Sequence, residues 1–127
     1  MERTFTLVQQ QLGSGTILYL DGPLRLGHRE AATGQPLSTA VRSVIAAGSL
    51  QIAIDLRGLV KTPDSSGLGE LVAAQSALRP HGETLILVNV PPKLRRLIGT
   101  MGLDVLFRIV DTEVEVCSLF GVEPEAD

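Results

Sequence analysis

Ile52-Ala53-Ile54-Asp55-Leu56-Arg57-Gly58-Leu59-Val60-Lys61-Thr62-Pro63-Asp64-Ser65-Ser66-Gly67-Leu68-Gly69-Glu70-Leu71 decides how the rest of this chain is read. Its first part has apolar side chains on consecutive positions, the mark of a strand buried on both faces. A polar turn follows, then the start of a helix, with two adjacent serines, Ser65 and Ser66, at the junction. The first N–H groups of a helix lack partners inside it, and the backbone dipole adds partial positive charge there. A hydroxyl at that place tolerates added negative charge well, so the junction suits a phosphorylation switch. The same residues are also ordinary cap chemistry, because short polar side chains satisfy free helix N–H groups.

Upstream of this stretch, Thr4 to Val8 alternates polar and apolar like a half-buried strand, and Thr16 to Leu20 forms a second. Leu12-Gly13-Ser14-Gly15 supplies the turn between them, giving an antiparallel hairpin. Asp21-Gly22-Pro23 ends the hairpin, and no helix or strand period shows before Gln35. From Pro36 the spacing of Leu37, Val41, Val44 and Ile45 predicts a helix that stops at Gly48. The buried strand then covers Gln51 to Leu56.

Downstream, the second helix is predicted from Ser66 or Gly67 to Leu78, with Leu68, Leu71 and Val72 inward and Arg79-Pro80-His81-Gly82 ending it. Thr84 to Val90 reads as another buried strand. Pro91-Pro92 opens a third helix, in which Leu94, Leu97, Ile98 and Met101 fall on one face. Leu106 to Val110 is a short final strand. After Asp111 two readings stay open: Val114 and Val116 alternate like a strand, while Asp111 suits a helix cap. A hairpin followed by alternating helices and strands implies an α/β fold with a mixed sheet and helices covering it.

Composition narrows the function. The chain has 127 residues, enough for one domain; 44% are hydrophobic and 20% charged, which argues against disorder. Aromatics make up 3%, too few for base-stacking platforms, and the net charge of −3 argues against broad nucleic-acid binding. Cys117 is the one cysteine, so an internal disulfide and a multi-cysteine metal site are excluded. It reads as a small hydrophobe at the edge of the core. No apolar run is long enough to span a bilayer, and Met1-Glu2-Arg3 leads into a strand pattern, so a cytoplasmic protein is expected.

The candidate catalytic readings are poor. A Gly-x-Ser-x-Gly elbow is absent, and His28 and His81, the two imidazoles, fall in an irregular segment and a Pro-His-Gly turn. Gly67-Leu68-Gly69 lacks the third glycine of a dinucleotide fingerprint, since Val72 stands in its place. Small residues there let the helix start pack close to the sheet. Lys93, Arg95 and Arg96, interleaved with Leu94 and Leu97, read as the solvated face of an amphipathic helix, with docking of an acidic patch as the other use.

From Thr4 to Phe120 the chain resembles the STAS family (sulphate transporter and anti-sigma factor antagonist domains). The resemblance is carried by Ile54-Asp55-Leu56-Arg57-Gly58-Leu59 followed by Asp64-Ser65-Ser66-Gly67-Leu68-Gly69. Leu85 to Val90 with Pro92-Lys93-Leu94, and Met101-Gly102-Leu103 before Leu106-Phe107, are weaker echoes. It implies an α/β STAS-like mixed β-sheet with an N-terminal antiparallel hairpin, central parallel strands and about four helices. Residues 1–121 would form that single domain and 122–127 a flexible tail.

In the antagonists that the chain resembles, the serine directly after the aspartate is phosphorylated; here that is Ser65. The resemblance further implies an anti-sigma factor with serine kinase activity as partner, a phosphoserine phosphatase that resets the switch, and no cofactor or catalytic residue. Asp64 and Ser66 would shape the loop, and Gly67 and Leu68 with Asp21, Gly22, Leu24 and Arg25 would form the docking face. No nucleic acid and no membrane insertion are implied. The alternative within the family is a STAS scaffold subunit of a stressosome or a membrane transporter complex. Two departures from the pattern stand out. Gly22-Pro23-Leu24-Arg25 carries an arginine where many antagonists have aspartate, and Pro63 precedes Asp64 and stiffens the turn.

Overall fold

The computed structural model describes residues 4–24, 28–60 and 65–122, with the side chains of Ser65 and Ser66 outside the description. The opening hairpin pairs β1 (Thr4–Leu12) with β2 (Gly15–Gly22) antiparallel. A two-residue strand, β3 (Arg29–Glu30), lies parallel to β1 on its outer edge. Helix α1 (Leu37–Ala46) leads to β4 (Gln51–Leu59), α2 (Ser65–Leu78) to β5 (Ile86–Val88), and α3 (Pro92–Thr100) to β6 (Arg108–Val110). Helix α4 (Glu113–Leu119) closes the order. The sheet runs β3-β1-β2-β4-β5-β6, and β2, β4, β5 and β6 are mutually parallel.

Alternation along the strands sorts the interior into two cores. Ile52, Ile54 and Leu56 of β4 face one side, where Leu37, Val41 and Val44 of α1, Leu68 and Leu71 of α2, and Leu94 and Ile98 of α3 bury against them. Ala53 faces the other side and joins Ile17, Val88, Val116 and Phe120 in a smaller core under α4. Three helices therefore cover one face and one short helix covers the other. The consecutive apolar positions of β4 reflect this cover on both sides.

Several expectations are corrected. The segment between Asp21 and Gln35 contains β3, whose two residues are too few to show a period. Thr84–Val90 narrows to a three-residue strand, although Leu85 is fully buried beside it. Leu68 and Leu71 face inward as predicted, and Val72, half-buried, packs against the same core. Met101 lies just past the last residue of α3 and is 46% exposed, because the chain leaves the helical path before that position reaches the core. After Asp111 the helix is the outcome. Its N-cap is Thr112, whose hydroxyl accepts the Glu115 N–H at 3.4 Å, while Asp111 pairs with Arg95. Cys117 is half-buried, at the margin of the α4 core.

Candidate phosphoacceptor junction and the groove beside it

The ends of β2 and β4 set the candidate site. These strands run parallel, with a register shift between Tyr19 and Asp21, after which Asp21 faces Gly58 and Gly22 faces Leu59. The Val60 N–H then donates to the Gly22 carbonyl at 3.1 Å, so the two chains stay tied to the point where β4 gives way to residues 61–64. Helix α2 begins at Ser65, with no acidic residue in its first turn. The backbone dipole of this fourteen-residue helix places partial positive charge at its Ser65 end.

Glycines make the close approach possible. A Cβ on Gly58 would lie 2.7 Å from the Leu20 carbonyl oxygen and still closer to the Asp21 carboxylate. Gly22 has φ +109° and would bring a Cβ within 3.3 Å of the Phe5 backbone. Gly58 thus lets β4 lie close against Leu20 and Asp21 of β2, and Gly22 lets the β2 exit lie close against β1.

The structure brings Asp21 and Gly22 beside the strand that leads to Ser65, with Asp21 exposed and Gly22 half-buried. Leu24 and Leu68, each 1% exposed, turn into the large core, and Gly67 is buried. Arg25, Asp64 and the hydroxyls of Ser65 and Ser66 fall outside the described residues.

On the opposite face, the sequence reading missed a polar group. Asp55, 5% exposed in the middle of an apolar strand, accepts the Arg57 N–H at 2.8 Å and the Asn89 side-chain amide at 2.9 Å. Asn89 holds φ +55°, a left-handed conformation that asparagine tolerates and that this bond helps to fix. The Tyr19 hydroxyl donates to the Glu113 carboxylate of α4. Burial, then that bond, pushes the Tyr19 phenol above its ordinary range. An acid inside an apolar run was the available signal, because an isolated buried carboxylate requires partners.

Two cavities flank Arg57. One, of about 290 Å³, is bounded by Tyr19, Asp21, Asp55 and Glu113; the other, of about 420 Å³, by Asn89, Pro91, Arg95 and Asp111. Neither holds a nucleophile–imidazole pair: His81 is exposed in the 3-10 turn after α2, and His28 lines neither cavity. Among the described residues, no three His, Cys, Asp or Glu side chains are grouped as metal ligands. No described helix is long and apolar enough to cross a membrane.

A family model described as "Mlab, STAS domain" matches residues 9–111. Solved structures match as well. An anti-sigma factor antagonist from Mycobacterium paratuberculosis superposes with TM-score 0.72 at 21% identity, covering 95% of this chain and 97% of that one. The anti-sigma factor antagonist SpoIIAA in its unphosphorylated form gives TM-score 0.59 at 19% identity, over 91% and 96%. The Bacillus cell fate determinant SpoIIAA in the phosphorylated form gives 0.58 at 22%, over 91% and 97%. At these identities the likeness is one of fold. No curated protein sequence is similar enough to count as a match.

Proposed function

The chain belongs to the STAS domain family, and from that membership we propose that it is an anti-sigma factor antagonist switched off by phosphorylation of Ser65. It binds an anti-sigma factor of the serine kinase type, which frees the sigma factor. The kinase reverses this by phosphorylating Ser65, and a phosphatase resets it. The protein has no catalytic chemistry of its own and works in the cytoplasm. Its docking face is the start of α2 with Asp64, Ser65, Ser66 and Gly67, beside Asp21, Gly22 and Arg25, with Leu24 and Leu68 holding that face from beneath.

The observation that supports the reading is the tie between the β2 and β4 ends, which brings Asp21 and Gly22 beside the end of the strand that precedes α2 in the chain. A phosphate on Ser65 adds about −1.5 to −2 charges at a helix start that stabilises it, so the fold survives modification. A partner packed over the same hydroxyl meets bulk and a desolvated dianion, and ~100-fold in affinity is within reach. That SpoIIAA, a fold neighbour, is known in phosphorylated and unphosphorylated forms supports the switch.

The test incubates the protein with the cognate kinase and ATP. Label is expected on the wild type and lost from Ser65→Ala; equal labelling of both rejects the assignment. Retrieval of a transporter complex or sister scaffold domains in place of a small kinase would favour a constitutive structural subunit.

A further inference from the structure

Charge is unevenly divided around the β6 edge of the sheet. Residues 84–110 carry Lys93, Arg95, Arg96 and Arg108 against one acid, Asp104; residues 111–120 carry Asp111, Glu113 and Glu115 and no base. Helix α3 contributes to the three-helix core and α4 to the core on the other face, so the basic helix and the acidic helix flank β6 from opposite sides. Each presents exposed apolar surface: Met101 and Val105 (83%) follow α3, and Val114 (58%) lies on α4. Among the described residues β6 pairs with β5 alone, which leaves a sheet edge between the two faces.

We propose that a second copy of this chain docks here, with the α3 face of one copy against the α4 face of the other. A two-fold axis along β6 exchanges the two faces of the sheet. It therefore brings Lys93, Arg96 and Val105 of each copy toward Val114 and Glu115 of the other, twice, and the contact closes as a dimer instead of a fibre. Within one chain the two segments already meet by opposite charge, since Arg95 and Asp111 pair at 2.6 Å. Apolar residues ringed by complementary charge are the composition of a moderate, salt-sensitive interface. The contact lies apart from the Ser65 junction, and its test involves no kinase.

The experiment is sedimentation equilibrium on the purified chain from about 10 µM to about 500 µM. A mass of two 13.5 kDa chains is expected at the upper end, with association weakening about tenfold between about 50 mM and 500 mM salt. Lys93→Glu with Arg96→Glu abolishes it, and adding Glu115→Lys to that variant restores it. Val105→Asp, a change at an exposed position, also abolishes it. A monomer at every concentration overturns the proposal, as does association that survives these changes or a loss that Glu115→Lys fails to restore.

Discussion

Asn89, just past β5, donates its side-chain amide to Asp55 of the neighbouring strand β4, 2.9 Å between Nδ2 and Oδ2, and this bond links a wall residue of one cavity beside Arg57 to a wall residue of the other. The carboxylate's other oxygen holds the Arg57 N–H. One acid therefore fixes a left-handed residue after β5 and the backbone of β4 near its exit.

Removing it should be costly. Asp55→Ala removes the acceptor of both the Asn89 amide and the Arg57 N–H at a part-buried site, and is expected to destabilise the fold by about 1–3 kcal/mol. Urea denaturation at neutral pH reads this as a lower midpoint with unchanged slope; a change below about 0.5 kcal/mol would show that water replaces the carboxylate.

Gly58→Ala tests the crossing of β2 and β4. The added methyl meets the Leu20 carbonyl as well as the Asp21 carboxylate. A loss of about 1–3 kcal/mol is expected, and Asp21→Ala in the same chain should recover only part of it, because the backbone clash remains. Full recovery in the double variant would assign the whole effect to the side chain.

Glu30, on the short edge strand, accepts the backbone N–H groups of Ala32 and Thr33, each at 3.0 Å. The Ala32 bond above all holds its carboxyl below the ordinary carboxylate range. A depressed value in the folded state means the contribution is full above the unfolded value, about 4.3, and is lost as pH falls through the folded one. Wild type should therefore exceed Glu30→Gln in stability near neutrality, with the gap closing in acid. A gap that stays constant down to about pH 2.5 would contradict this.

Tyr19 is the only tyrosine in a chain without tryptophan, so ultraviolet difference absorbance follows its phenol alone. In the folded protein the phenolate should be absent at about pH 10, where a free tyrosine is half ionised. Glu113→Gln removes the neighbouring negative charge and should lower the transition toward that value. Because the folded value is raised, the stabilisation is present below about pH 10 and is lost at higher pH. Ordinary ionisation in the wild type would mean that the hydroxyl is open to water.

Periodicity made most of the architecture legible. Leu37, Val41 and Val44 on α1, and Leu94 and Ile98 on α3, are buried where their spacing put them, because a helical face must meet a core. The pattern failed where elements are short. Two residues of β3 cannot show alternation, and seven of α4 satisfy a strand period as well as a helical one until Phe120 and Val116 find the sheet. For the candidate site, Ser65 at a strand-to-helix junction was readable from type and order. The burial of Leu24, which places its side chain in the core, was not.

The chain's own sequence determined the order of its elements, their apolar faces and the serine at the head of α2, because these depend on spacing and local backbone chemistry. Tertiary structure alone decided that Asp21 and Gly22 sit against Gly58 and Leu59, that Asp55 reaches Asn89, and that α3 and α4 flank the same edge. The first two of these relationships join residues more than thirty positions apart, and the third joins helices separated by a turn and a strand. Strand pairing and close packing create them, and no local pattern encodes the partner of a residue that only the folded sheet supplies.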